Sequence, residues 1–174
     1  MLEELRARHA RAGQAAGGAP VFLCDASLGG LARWLRAAGF EAALAPFVAP
    51  KRLPDEARRR GAVLLTTDAE ALERRIAADG SLRVVWLPTS FRVEEKLALV
   101  FRDLGLSLRE PRCMACGGAL VARAKESVFA RIPPRTARWK DEYFVCAACD
   151  RLYWQGTHWE RIAAALRGAA GAAA

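Results

Sequence analysis

The 174-residue chain is 53% hydrophobic and 26% charged, so it has the apolar surface to fold and lies outside the composition of disordered chains. No apolar run approaches the roughly 20 residues of a membrane span. The charged N-terminus, MLEELRARHARAGQAAGGAP, lacks the apolar centre of a secretory signal, which makes the expected setting cytoplasmic with no membrane.

Net charge is +8 and the pI is about 9.8. Residues 1–108 carry 16 Lys/Arg against 13 Asp/Glu, and residues 109–174 carry 11 against 6, giving +3 and +5. A basic balance favours polyanions such as RNA through counterion release.

In chain order, residues 1–20 read as an extension whose Gly/Ala run before Pro20 is a linker. Val21 to Cys24 is a strand ending at Asp25. SLGGLARWLRAAG then places Leu28, Leu31 and Leu35 on one helical stripe beside Trp34, with Gly39 as the stop. Residues 40–45 form a second strand, PDEARRRG a short helix, and residues 62–66 a third strand ending at Thr67 and Asp68. AEALERRIAADG is a helix, residues 83–87 a strand, and VEEKLALVFRDLG a helix ending at Gly105. Strand–helix alternation repeated in this way implies an α/β domain, with helices on both faces of a parallel sheet, over residues 21–108.

The pattern changes after Pro111. Cys113-Met-Ala-Cys116 and Cys146-Ala-Ala-Cys149 are paired CxxC knuckles separated by 29 residues. Two such pairs fill the four positions of a tetrahedral Zn²⁺, and a closed four-sulfur site is structural. Disulfides are disfavoured in a cytoplasmic chain. The expectation is a zinc ribbon over 109–165 with an added hairpin between the knuckles, followed by a disordered tail over 166–174. The odd cysteine, Cys24, reads as a small buried core residue.

Ligand sites of parallel sheets lie beyond the carboxyl ends of the strands, where Asp25 and Asp68 both stand. Two readings remain open for them. Each precedes a helix and could be an N-cap; together they could hold Mg²⁺ or Mn²⁺, which polarises a phosphodiester and activates water. Arg33, Arg36, Lys51 and Arg52 are candidates to hold phosphates, against the alternative of solvated helix faces. Tyr153, Trp154, His158 and Trp159 cluster behind the second knuckle, either as ribbon core or as a surface that stacks unpaired bases. His158 could also be a general acid or a structural residue.

Four segments, DASLGGLARWLRAAGF, GAVLLTTDAEAL, RCMACGG and YFVCAACDRLYWQGTHW, in this order and spacing resemble the Mut-seven C-terminal RNase domain family. The resemblance implies a PIN-like nuclease fold with a C-terminal zinc ribbon, and a metal-dependent ribonuclease acting on RNA, single-stranded in expectation. Asp25 and Asp68 match its strand-end acids, and Glu41 stands where the family carries an acid after the Gly-aromatic pair, which makes Asp25, Asp68 and Glu41 the catalytic candidates. The chain departs from the family at Lys51-Arg52-Leu53 and at Thr89-Ser90, where acids are common; Asp55 and Glu56 stand one turn after the first of these. A non-catalytic RNA-binding or protein-interaction module is the competing expectation.

Overall fold

A computed structural model describes residues 18–73 and 80–171. Two apolar periodicities meet in its first half. Strands β1 (Val21–Asp25), β2 (Glu41–Ala45), β3 (Val63–Thr66) and β4 (Val84–Trp86) are near-continuous apolar runs, as expected of a sheet covered on both faces. They form one parallel sheet in the order β2-β1-β3-β4, so β1 is an inner strand.

Because side chains alternate across a strand, Phe22 and Cys24 of β1 face one layer and Leu23 faces the other. The first layer is built from α1 (Gly29–Ala37) and a later helix, α4 (Val93–Leu104), which bury Leu31, Leu35, Leu97, Val100 and Phe101. Phe40 sits at its centre, edge-on to Phe22 at 5.7 Å and to Phe101 at 5.9 Å between ring centroids. The second layer contains α2 (Leu53–Arg59) and α3 (Glu70–Glu73), whose Leu53, Ala57, Ala71 and Leu72 pack on Leu23 and Leu64. The result is the expected three-layer α/β domain. The helix expected over 69–80 is described only to Glu73, and the N-terminal extension lies outside the described residues up to position 17.

The chain then crosses the end of α1. Arg109 N–H donates to the Ala38 carbonyl at 3.0 Å, and Arg112 N–H to that of Arg36 at 2.9 Å. Gly39, with φ of +94°, makes the crossing possible, since a Cβ there would lie 2.6 Å from both the Arg109 Cβ and the Glu110 carbonyl oxygen.

The ribbon is an antiparallel sheet of β5 (Leu120–Arg123), β6 (Tyr143–Cys146) and β7 (Leu152–Trp154) in that order. The expected hairpin between the knuckles exists as the β5–β6 pair. Its connection holds two short helices, α5 (Lys125–Val128) and α6 (Pro134–Ala137), with a small core of Val128, Ile132, Tyr143 and Val145.

The last element corrects an expectation. Residues 166–171 continue a helix, α7 (Thr157–Gly171), where a disordered tail was expected. Ile162, Leu166 and Ala169 recur at helical spacing and are buried in the layer of α1 and α4. Small alanines look like low complexity in the sequence, yet here they let α7 approach α4 closely. Residues 172–174 lie outside the described residues. No described helix is long and apolar enough to cross a membrane.

Candidate functional site

Two constellations carry chemistry, and they lie at opposite ends of α1. At its carboxyl end, close to Arg36, the chain enters the ribbon. The Sγ atoms of Cys113, Cys116, Cys146 and Cys149 all lie within 4.8 Å of one another, with Cys113–Cys149 at 3.6 Å and Cys116–Cys146 at 3.4 Å. Four sulfurs about 2.3 Å from one tetrahedral ion stand about 3.8 Å apart, so the donor set fits Zn²⁺.

The two knuckles repeat one hydrogen-bond pattern. Gly117 N–H donates to the Cys113 carbonyl at 2.7 Å and Asp150 N–H to that of Cys146 at 3.0 Å; Cys113 and Cys146 N–H donate to Gly118 and Arg151 carbonyls at 2.9 Å each. The residue after each second cysteine takes the left-handed conformation, Gly117 at +84° and Asp150 at +56°. Gly118 N–H and Ala148 N–H point at Cys116 and Cys146 sulfurs, both at 3.4 Å. A Cβ on Gly118 would lie 2.8 Å from Cys146 Sγ, so glycine is required where the chain passes the cysteine cluster. The Tyr153 hydroxyl lies 3.0 Å from Cys113 Sγ. Tyr153 and Trp154 are half-buried, and with Met114, Phe144 and Trp159 they line a cavity of ≈ 420 Å³ beside the ribbon. Trp154 packs against the small ribbon core, whereas Tyr153 turns its hydroxyl to Cys113.

The other constellation lies where α1 begins. Asp25 ends β1 and is 6% exposed. Its Oδ1 accepts from Ser27 N–H at 2.9 Å and Ser27 Oγ at 2.6 Å. Its Oδ2 accepts from Thr66 Oγ1 at 2.9 Å, Thr67 N–H at 2.7 Å and Thr67 Oγ1 at 3.3 Å. Burial pushes the carboxyl pKa up, but the bonds from Ser27, Thr67 and Thr66 outweigh it and hold the group below its ordinary value. Asp25 is therefore a buried anion.

Thr66 joins it to the second acid. While its hydroxyl donates to Asp25, it accepts from Asp68 N–H at 3.1 Å. Asp68 is half-buried and its Oδ1 accepts from Glu70 N–H at 3.0 Å. Both aspartates therefore do cap the turns that follow them, and they do so at one rim of one sheet. Cys24, fully buried behind Asp25, has its thiol pushed up to about 12 by burial and then by the Asp25 charge, an inert core group.

The remaining candidates divide. Glu41 is not brought to the aspartates. It pairs with Val21 at the start of β1, whereas Asp25 pairs with Ala45. Parallel register therefore places Glu41 at the amino rim, four residues and about 13 Å along the strand from Asp25. Asp55 is exposed in the first turn of α2, and Glu56 is engaged by Arg59 and by Arg60, the latter at 2.6 Å.

Among the described residues, the four cysteines are the only group of three or more His, Cys, Asp or Glu ligand atoms gathered within 4.8 Å. On that measure no described group of three acids includes Asp25 or Asp68. Arg36 is also reassigned. Its guanidinium donates to the carbonyls of Ala42 at 2.8 Å, Met114 at 3.1 Å and Ala115 at 2.8 Å, so it fastens the ribbon and is not free to hold phosphate. His158 is exposed in the first turn of α7 on the ribbon side, away from the acid rim. Arg33 is exposed on α1, and Arg52 is exposed in the turn Pro50–Arg52 that follows β2 at the acid rim.

An α/β domain with a strand-end acid pair, carrying a four-thiolate ribbon, is the class of protein that this fold defines. The family model for the Mut7-C RNAse domain matches residues 20–166, and the chain belongs to that family. Its function is accordingly ribonuclease-related, with RNA as the substrate class. No curated protein and no solved structure matches the chain.

Proposed function

We propose that the chain is a divalent-metal-dependent ribonuclease that hydrolyses RNA phosphodiester bonds at the PIN-like rim formed by Asp25 and Asp68. The observation that carries this reading is Asp25, a buried carboxylate kept ionised at the carboxyl end of an inner strand, one threonine away from a second carboxylate. A buried, ionised carboxylate at a strand-end rim is a functional-site candidate, and carboxylates are the ligands that a hard cation takes.

Asp25, Asp68 and the hydroxyls of Ser27 and Thr67 offer only oxygen ligands, which suit Mg²⁺ or Mn²⁺. When bound, such an ion supplies charge neutralisation at the phosphate and a water of lowered pKa. The chain's own groups do the positioning. Thr67 N–H and Thr66 Oγ1 fix the plane of the Asp25 carboxylate. Ser27 Oγ and Thr67 Oγ1, 3.1 Å apart, can each turn the hydroxyl proton away and free a lone pair without moving a heavy atom. Arg52, exposed at the same rim, and Arg33 on the exposed face of α1 are the cations for flanking phosphates.

The test is degradation of single-stranded RNA in Mn²⁺, lost when Mn²⁺ is dialysed away and lost in Asp68→Asn with zinc content and fold retained. If the purified chain binds no divalent ion beyond one zinc, the reading fails.

A second reading, a non-catalytic RNA-binding or protein-interaction module, is favoured by one specific observation. Both Asp25 oxygens are already engaged and Glu41 stands on the other rim. It predicts RNA retention, steeply weakened by salt, with no turnover in Mn²⁺.

A further inference from the structure

Among the described residues of the α/β domain, the exposed aromatic side chains are Phe47 and Phe91, 98% and 38% exposed. A single exposed phenylalanine needs no explanation. The placement of these two does.

Phe47 follows β2 by two residues, and the last residue of β2, Ala45, pairs with Asp25. Phe91 lies in the loop after β4, in a turn where its N–H donates to the Pro88 carbonyl at 3.2 Å; that loop begins beside Thr66, whose carbonyl accepts from Leu87 N–H at 2.8 Å. Both rings therefore project from loops of the acid rim, and they leave the two outer strands of the order β2-β1-β3-β4. Asp25 and Asp68 follow the two inner strands. Phe47 is not the loop's anchor, because its neighbour Val48 packs on the second apolar layer. Water-exposed phenyl surface carries a free-energy cost and here gives the fold nothing in return.

Outer strands of a four-stranded sheet are about 14 Å apart. Loops that leave strands on opposite edges of the sheet can hold bases on either side of a phosphate placed over the two inner strands. The chemistry around them matches: Arg52 is exposed next to the first loop, and Arg92, directly after Phe91, is exposed with its Nε 3.7 Å from the Glu95 carboxylate. Cations beside free aromatic faces form the usual platform for unpaired nucleotides. Bases in a duplex are already stacked on each other and offer no free face.

We propose that Phe47 and Phe91 stack unpaired nucleobases flanking the phosphate held at Asp25 and Asp68, and so select single-stranded RNA. This rests on the acid rim being the RNA site proposed above.

The experiment measures fluorescence anisotropy of labelled short oligouridylate, oligoadenylate and a blunt RNA duplex, with the full chain in Mn²⁺-free buffer. Phe47→Ala and Phe91→Ala are each expected to weaken single-strand binding by roughly 5- to 150-fold and to leave duplex binding unchanged. Phe47→Trp, which keeps an aromatic face, is expected to retain or tighten single-strand binding. Phe47→Ala removes a side chain that touches almost nothing, so its thermal midpoint should equal wild type and keep the result interpretable. Single-strand affinity unchanged in Phe47→Ala, or equal losses on single strand and duplex, would overturn the proposal. Should wild type cleave RNA in Mn²⁺ while Phe47→Ala shows the same KM, the platforms fall and the rim reading stands. Should wild type neither bind nor cleave single strands, both fall.

Discussion

The guanidinium of Arg36, on the last turn of α1, donates to the backbone carbonyl of Ala115 inside the first zinc knuckle at 2.8 Å. It bonds Met114 and Ala42 carbonyls as well, so a single side chain joins helix, sheet edge and metal module. Its planar fork of donors suits this task, which a lysine cannot reproduce.

Arg36→Ala should therefore destabilise the chain by about 2–4 kcal/mol, since charge-assisted bonds are lost and their carbonyl partners stay partly buried. Chemical denaturation measures it. Arg36→Lys should recover only a fraction of the loss, and zinc content should be unchanged in both. A denaturation midpoint equal to wild type in Arg36→Ala would mean that the ribbon is held elsewhere.

Cys146→Ser should release zinc and unfold β5, β6 and β7, because zinc-binding energy in such modules is folding energy. The parallel sheet has its own two apolar layers and should survive. Zinc stoichiometry by absorption spectrometry, paired with hydrogen exchange, separates the two parts; retained zinc would refute the four-thiolate site.

Asp25→Asn should cost about 1–3 kcal/mol near neutral pH, as an amide nitrogen cannot accept from all of the Ser27, Thr66 and Thr67 donors. Since the Asp25 pKa is lowered on folding, its contribution is complete above the unfolded value near 3.8 and is lost as pH falls through the lower folded value. The stability gap between wild type and Asp25→Asn should accordingly be full at pH 6 and close only under strongly acid conditions. A gap that closes as pH rises instead would contradict the anionic assignment.

Glu41→Gln should leave RNA turnover unchanged, whereas Asp68→Asn should abolish it. Glu41 is exposed at the amino rim, and the acid pair is at the carboxyl rim. Loss of turnover in Glu41→Gln with the fold intact would move the reaction centre away from Asp25.

Much of this molecule is readable without coordinates because its signals are local. Apolar runs and the Leu28, Leu31, Leu35 stripe define strand and helix by period alone, and two CxxC pairs define a four-sulfur site by ligand count. The N-cap and the metal-ligand readings of Asp25 were both written in the residues, and the structure shows the capping bonds of both aspartates plainly. Arg36 gave no such signal. An arginine on an amphipathic helix looks solvated until a segment 78 positions later folds over it.

By itself the sequence determined the alternation of strands and helices and the two cysteine knuckles that meet in one cluster, since each depends on spacing within a short window. Tertiary structure alone decided that no third acid among the described residues gathers with Asp25 and Asp68, that Arg36 fastens the ribbon, and that α7 returns to the first layer. Those outcomes follow from strand register and from contacts between distant segments. Side-chain period reports which face a residue takes, and carries no information about where along a neighbouring strand that residue comes to lie.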